Sequence, residues 1–548
     1  MEFTYKYFGP SQVSHDAKQS ALTFSPDSLR DPAFFVADLG QHLPFREAMS
    51  ALHEVVVSDG RIQPKDRTEY FAWLEQEEQN QLADFMAQQE QAKAKVKPLQ
   101  DELAELNKKS RLAMAPYYLA QKRYFDYLYK HDYDAWFVLD PVITVHPDQV
   151  FFECFSQDES SYGRLSCSHN VFSNISECAY GTTNIDYSDS LYQEFQKIRD
   201  YRRTQLKIDP SGFQVTTERS DEFIEQKIDL PDSWVRGFLQ VNSALTLPMH
   251  TVQLHPMDVH NLCFLLRRRK EKVGPRSLRF CLKPGQPLEI IIEPWGQVLR
   301  CPRSLYQGEY EGEVRIWGRR RLFIFERLIP VAKGFTLHML GTGLPSFWVA
   351  DLGELSFTLG LSGWTANDWS RMGNFDLMAP RGEVDSATAE RVIAALQREW
   401  CADSASLARS LALDETTVKS ALAIYAQQGK VLYDTENQLY RLRELSGEPL
   451  PMEQLRFSNP REERAANFVL ANLVQLDSPD VQEKHTRLRG VVTDNARKYQ
   501  TEVLIDRDER LFDAHCSCDY FIHNKLFKGP CEHMLALRKL HSERGNQS

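Results

Sequence analysis

The chain has 548 residues, 42% hydrophobic and 26% charged, with a formal net charge of −11. This is ordinary soluble globular composition, enough for three or four domains at about 150 residues each, and it excludes a protein coated for general nucleic-acid binding; any such contact must be local. Because the first residues lack the basic and apolar regions of a secretory signal and no run approaches about 18 uninterrupted apolar residues, a cytoplasmic protein without membrane contact is expected.

Residues 1–66 mix short strands and helices, with turn signals at Asp31-Pro32 and Asp59-Gly60. From 67 to 133 the chain becomes rich in Glu, Gln, Lys and Ala with helical spacing of Leu82, Phe85 and Met86, then Leu99, Leu103 and Leu106, and Pro98 should kink or split it. A helical arm is expected there. Residues 134–380 carry many short apolar, β-branched runs, such as 149–155, 288–293 and 321–325, interrupted by helical patterns at 189–201, 233–245 and 258–272. Strands outnumber helices without regular alternation, which predicts an α+β body with a mainly antiparallel sheet.

Two basic clusters stand out in this acidic chain. Arg267, Arg268, Arg269 and Lys270 lie close to Lys272, Arg276 and Arg279, and Arg315, Arg319, Arg320 and Arg321 surround Trp317. They are candidates for an anionic partner such as nucleic acid, with Trp317 available for stacking; the competing reading is a solvated helix end and a charge-guarded sheet edge. Catalytic signatures are missing. Gly341-Thr342-Gly343 has no Lys-Ser/Thr after it and is read as a turn, and no nucleophile elbow or H-E-x-x-H occurs. Cys167, His169 and Cys178 offer three ligands without a fourth. The remaining cysteines outside the C-terminal region are scattered, as buried free thiols are in a reducing compartment.

Residues 384–445 follow a compact plan. Ala389, Val392, Ile393 and Leu396 repeat at helical spacing, Ser404 is the expected cap of a short helix, and Asp414 that of a third helix ended by Gly429; two short strands then bracket a polar turn at 434–437. This is the order of a winged helix. With seven basic against nine acidic residues between 385 and 445, and Lys419 nearly alone on the would-be recognition helix, a structural or protein-binding role is favoured over DNA reading. A Pro- and Gly-containing linker at 446–460 leads to the last domain, 461–548, which opens on an amphipathic helical pattern through Ala465, Phe468, Val469 and Leu473.

There Cys516, Cys518, Cys531 and His533 form C-x-C-x12-C-x-H. Residues two apart in a strand face the same way, and a cysteine at a helix start has its thiolate stabilised, so three thiolates and an imidazole converge as a closed tetrahedral zinc site. A catalytic zinc usually keeps an open position, and His515, His523 and His541 are read as bystanders. The spacing, with strands expected at 489–492 and 499–506 before it and a helix after, resembles the SWIM zinc finger. That resemblance implies recognition of protein and/or nucleic acid.

Runs in the body, among them Pro231 to Val241, Gly274 to Phe280, Gly341 to Ser346 and Gly360 to Trp369, look like a bacterial SWIM-finger family encoded beside a MoxR-type AAA+ ATPase and a von Willebrand factor A-domain protein. The resemblance implies those two partners rather than a reaction. The sequence thus predicts a multidomain, non-enzymatic adaptor built with Zn2+, acting with a partner ATPase. The alternatives are a sequence-specific DNA-binding regulator using the winged helix and an enzyme with an unrecognised site in 134–380.

Overall fold

The computed structural model describes residues 12–15, 19–24, 33–58, 141–176, 178–184, 192, 195–196, 198–201, 203–208, 232–270, 275–363, 384–445, 450, 455, 457, 460–482, 485–506, 511–526 and 529–545. The expected helical arm at 67–133 lies outside the described residues, as do Lys272 and the end of the Gly360–Trp369 run. The fold is mixed α+β with largely antiparallel sheets.

Its centre is an eight-stranded antiparallel sheet running His250–Leu254, Gly334–Met339, Ser346–Asp351, Leu355–Leu361, Ser161–Ser168, Gln149–Phe155, Val142–Val145 and Gly181–Asn184. Gln149–Phe155 and Leu355–Leu361 are buried at every position, so both faces are covered and the strands read as continuous apolar runs. Neighbouring residues show how. Cys154 points its thiol at the Leu52 carbonyl of helix His42–Val57, whereas Phe155 points the other way and meets Phe238 of helix Asp232–Leu245 edge-on at 4.8 Å. Gly237 permits that contact, since a Cβ there would lie 2.9 Å from the Phe155 ring. A four-stranded sheet, Gln297–Leu305, Pro287–Ile292, Leu278–Leu282 and Gly312–Ile316, turns Leu278, Phe280, Ile290 and Ile292 into the same core.

Within the segment 1–66, Phe35–Leu39 pairs with Arg203–Ile208, and helix His42–Val57 buries Leu52, Val55 and Val56 in the core it shares with the central sheet. One expectation is corrected here. Residues 321–325, read as a strand, lie in the 3-10 helix Arg319–Arg327, which follows Gly318 at φ 88 and buries Leu322, Ile324 and Phe325. The left-handed glycine breaks the extended path after Gly312–Ile316. The turn at Gly341 and Gly343 is present, with φ 145 and 76.

Between 384 and 445 the chain forms helices Ser386–Glu399, Ser404–Leu411 and Glu415–Gln427 and a sheet of Cys401–Ala402, Leu439–Leu442 and Val431–Asp434. Asp385, Asp403 and Asp414 cap the three helices, so the second cap is Asp403, accepting from the Ser406 amide at 2.8 Å, and not Ser404. Gly429, at φ 76, follows the third helix as anticipated.

The hairpin of this unit is not a free projection. Arg441 donates to Asp434 at 2.8 Å and to both Asp148 oxygens at 2.8 Å, Arg164 of the central sheet reaches Asp434 at 3.3 Å, and Arg443 lies 3.5 Å from Glu153 and donates to Asn242 at 2.8 Å. Burial works against the Asp434 charge, yet Arg164 and Arg441 outweigh it and hold the carboxyl well below the ordinary range.

His146 seals the same junction, its Nε2–H donating to the Leu442 carbonyl at 2.5 Å with the Trp400 ring 5.4 Å away. Burial pushes its imidazole down to about 4, against the pull of the Leu442 carbonyl, with Arg441 lowering and Asp148 and Asp434 raising it. A depressed histidine contributes stability that is complete above its ordinary value near 6.5 and is lost as pH falls from there toward about 4. Urea midpoints should therefore decline across that window, and His146→Gln should flatten the decline; an unchanged slope would remove His146 as its source.

Among the described residues, no helix is long and apolar enough to cross a membrane.

Candidate metal centre

The C-terminal domain has its own core, made by Ala465, Phe468, Val474, Leu488, Val492, Val503, Ile505, Ala514, Phe521, Met534 and Leu537 together with the three cysteines. Its scaffold is the hairpin His485–Asp494 and Arg497–Asp506, turned through Asn495 and Ala496, both at positive φ. Strand Leu511–Cys516 pairs with the second arm, placing Cys516 opposite Thr501. Inward positions alternate along Arg497–Asp506, with Thr501, Val503 and Ile505 buried, as its sequence pattern required.

Each ligand is placed by an element end. Cys516 closes the last strand. Cys518 caps helix Asp519–Asn524, its sulfur accepting from the Phe521 amide at 3.4 Å. Cys531 immediately precedes helix Glu532–Gly545, and His533 sits in that helix's first turn. All four are buried, and their ligand atoms lie within 4.8 Å of one another. Cys516 and Cys531 sulfurs are 3.7 and 4.0 Å from His533 Nδ1. A tetrahedral zinc with bonds of 2.0–2.3 Å separates its ligands by roughly 3.5–3.8 Å, so the cluster fits zinc with little closure.

Without metal the thiols share protons. The Cys531 thiol hydrogen-bonds Cys516, holding Cys516 down at about 3 despite its burial, while Cys531 is driven up by the same bond. Cys518 is raised by burial. Such a set is poised for a dication that replaces the shared protons.

The surroundings orient the imidazole. His533 is stacked between Tyr499, centroids 4.4 Å apart, and Phe468, 5.6 Å. Its Nε2 lies 3.8 Å from Asp494, which also receives Arg464 at 2.7 Å, and Arg464 in turn reaches Glu532 at 2.9 Å. At that distance Asp494 faces the ring without a hydrogen bond, and the two flanking aromatic rings set its plane. Helix Pro460–Leu470, which ends before Leu473 of the expected helical pattern, supplies both Arg464 and Phe468. Sequence reasoning missed Asp494 and Tyr499; their hairpin arms offered the signal, since the ligands had to pack against that sheet.

His515 and His523 are exposed, and His541 is half-buried; none joins the cluster. Among the described residues no second group of this kind forms, so Cys167, His169 and Cys178 do not converge with a fourth ligand.

The basic clusters separate. Arg267, Arg268, Arg269 and Lys270 are exposed at the end of helix Pro256–Arg268. Three arginines of the second cluster turn inward: Arg315 pairs with Glu293 and donates to Ser277 at 2.9 Å, Arg319 is 3% exposed and donates to the Ser277 and Glu293 carbonyls, and Arg321 donates to the Ser160 carbonyl at 2.7 Å, whereas Arg320 is exposed. Of the two partners expected for Trp317, a base or a guanidinium, the ring faces the Arg315 guanidinium and at 2% exposure has no surface for a base.

Among known proteins, the SWIM zinc finger family matches residues 499–537, which contain all four ligands. No curated protein matches the chain. A solved structure of Proliferating Cellular Nuclear Antigen from Entamoeba histolytica aligns over 60% of this chain and 98% of its own, at 7% identity and a TM-score of 0.32, too low to carry an argument.

Proposed function

Proceeding from a SWIM zinc finger at residues 499–537, we propose that this chain is a non-enzymatic adaptor in which zinc builds a recognition module for protein and/or nucleic acid and the α+β body docks partners. The observation that carries the reading is the donor set: three cysteine sulfurs and an imidazole, all buried with their ligand atoms within 4.8 Å of one another, are the four donors of a closed tetrahedral zinc site, which would leave no position for substrate or water. The metal would be held by Cys516, Cys518, Cys531 and His533 and supplies folding energy, not a reaction.

The 384–445 unit, in this reading a winged helix, acts as a docking module and not as a DNA reader. Its third helix lies against helix Asp232–Leu245, with Asn242 donating to the Ala426 carbonyl at 3.4 Å, and Ala423 and Ala426 are buried. Lys419 pairs with Glu415 at 2.7 Å. A recognition helix must present an open face to a groove.

From the family resemblance of the body, the partners are a MoxR-type AAA+ ATPase and a von Willebrand factor A-domain protein, and any ATP hydrolysis belongs to the ATPase. The test is capture of the tagged full-length chain from its host, with nuclease, followed by mass spectrometry and an ATPase assay of the purified chain alone. An AAA+ ATPase retained after nuclease, with no ATP turnover by the chain itself, is the expected result. Robust turnover abolished by a substitution within 141–363 would replace the adaptor by an enzyme.

A further inference from the structure

Helix Pro256–Arg268 ends in a run of four cations that the fold leaves in water. Arg267 is paired with Glu326. Arg268 and Lys270 make no ion pair among the described residues. Arg268 instead lies 4.9 Å over the ring of Phe264, which is 49% exposed. Arg269 donates to Gln297 at 3.3 Å and lies 5.9 Å from the ring of Trp295, which is 36% exposed on the turn between strands Pro287–Ile292 and Gln297–Leu305. The helix dipole accounts for cations in the last turn. It does not account for two large rings left open beside them.

Cations next to exposed rings match a chain that offers phosphates and unstacked bases together. A duplex keeps its bases inside and would meet only the cations; an acidic peptide would likewise leave the rings unused. We propose that the C-terminal end of helix Pro256–Arg268 and the Trp295 turn form a binding surface for single-stranded nucleic acid, with Arg268, Arg269 and Lys270 on phosphates and Phe264 and Trp295 against bases. In a chain of net charge −11 the surface is a local reversal of sign, which directs a polyanion to this end of the helix. The proposal rests on the recognition reading only in taking nucleic acid as a ligand.

The experiment is fluorescence anisotropy of labelled oligothymidylate, oligouridylate and a duplex against the purified full-length chain over a salt series. Single strands should bind more tightly than duplex. Arg268→Ala/Arg269→Ala/Lys270→Ala should lower the log–log salt slope by about 2, near 0.7 per lost phosphate contact. Phe264→Ala should weaken binding roughly tenfold with the slope retained, as loss of one stacked base does. Trp295→Ala should act in the same way, with its urea midpoint measured because the ring also packs on Arg319. Lys419→Ala should change nothing.

No binding of single strands by wild type, equal affinity for duplex, or indifference to Phe264→Ala would overturn the proposal. So would competition by polyglutamate that the ring substitutions leave unaltered, which would point to an acidic protein. If binding disappears in Cys531→Ser but survives the arginine substitutions, the finger and not this surface is the site. The titration uses the purified chain alone, so it fails or succeeds independently of the ATPase capture.

Discussion

Cys518→Ser or Cys531→Ser is expected to reduce bound zinc from one per chain to none and to unfold residues 460–545 while the central sheet stays folded. The expected effect is large because the ligands are also core: Cys516, Cys518 and Cys531 belong to the same apolar cluster as Met534, Leu537 and Phe468. Zinc binding at such sites is worth on the order of 10–16 kcal/mol in small finger peptides, as much as the whole stability of a typical domain at about 5–15 kcal/mol. Elemental analysis gives the stoichiometry. Amide exchange locates the loss, with protection expected to vanish along His485–Asp494 and Arg497–Asp506 and to persist in Gln149–Phe155. Chelation of the wild type should reproduce the pattern. A zinc-free protein with full protection in the hairpin would show that the metal is dispensable to the fold.

Arg441→Ala is expected to destabilise the junction between the 384–445 unit and the central sheet by about 3–5 kcal/mol, against about 0.5 kcal/mol or less for Arg398→Ala on an exposed helix face. Arg441 is 1% exposed and serves Asp434 through Nε and Asp148 through Nη1. Removing it leaves the fully buried Asp434 with Arg164 as its remaining cationic partner, at 3.3 Å. A buried carboxylate that loses its closer guanidinium costs more than the lost contact itself, although Arg164 and Asn437 still face it. Arg441→Lys should restore little, because one ammonium cannot span two carboxylates as a planar guanidinium does. Urea unfolding of the full chain reads both, and equal midpoints for Arg441→Ala and Arg398→Ala would show that the network contributes nothing.

The two predictions differ in how far they could be reached from sequence. The zinc ligands were legible because metal chemistry restricts residue type and spacing at once: few chains place C-x-C and C-x-H around an intervening segment unless the four donors meet. Asp414 as a cap, Gly429 past a helix, and the turn at Gly341 and Gly343 were legible for a related reason, since each answers a local backbone need.

Charge was not legible in that way. The arginines at 315–321 and those at 267–270 read alike as a run, yet Arg315, Arg319 and Arg321 are used on Glu293 and on backbone carbonyls while Arg320 and the second set are exposed. Nothing local distinguishes a guanidinium that will be buried from one that will not; its partners are up to about 160 residues away, as with Arg321 and Ser160. The same holds for strand Phe35–Leu39 and helix His42–Val57, which complete a core begun more than 80 residues later.

What the sequence by itself determined was the metal, its ligands, the three helices of 384–445 with the Asp414 cap and the mainly antiparallel class, because period, cap chemistry and donor spacing act over a few residues. Only the tertiary structure decided which cations face water, that Asp494 stands behind His533, and that the 431–442 hairpin is held to the body by Arg441, Asp434 and Arg164, because desolvation and pairing depend on what the distant chain brings alongside.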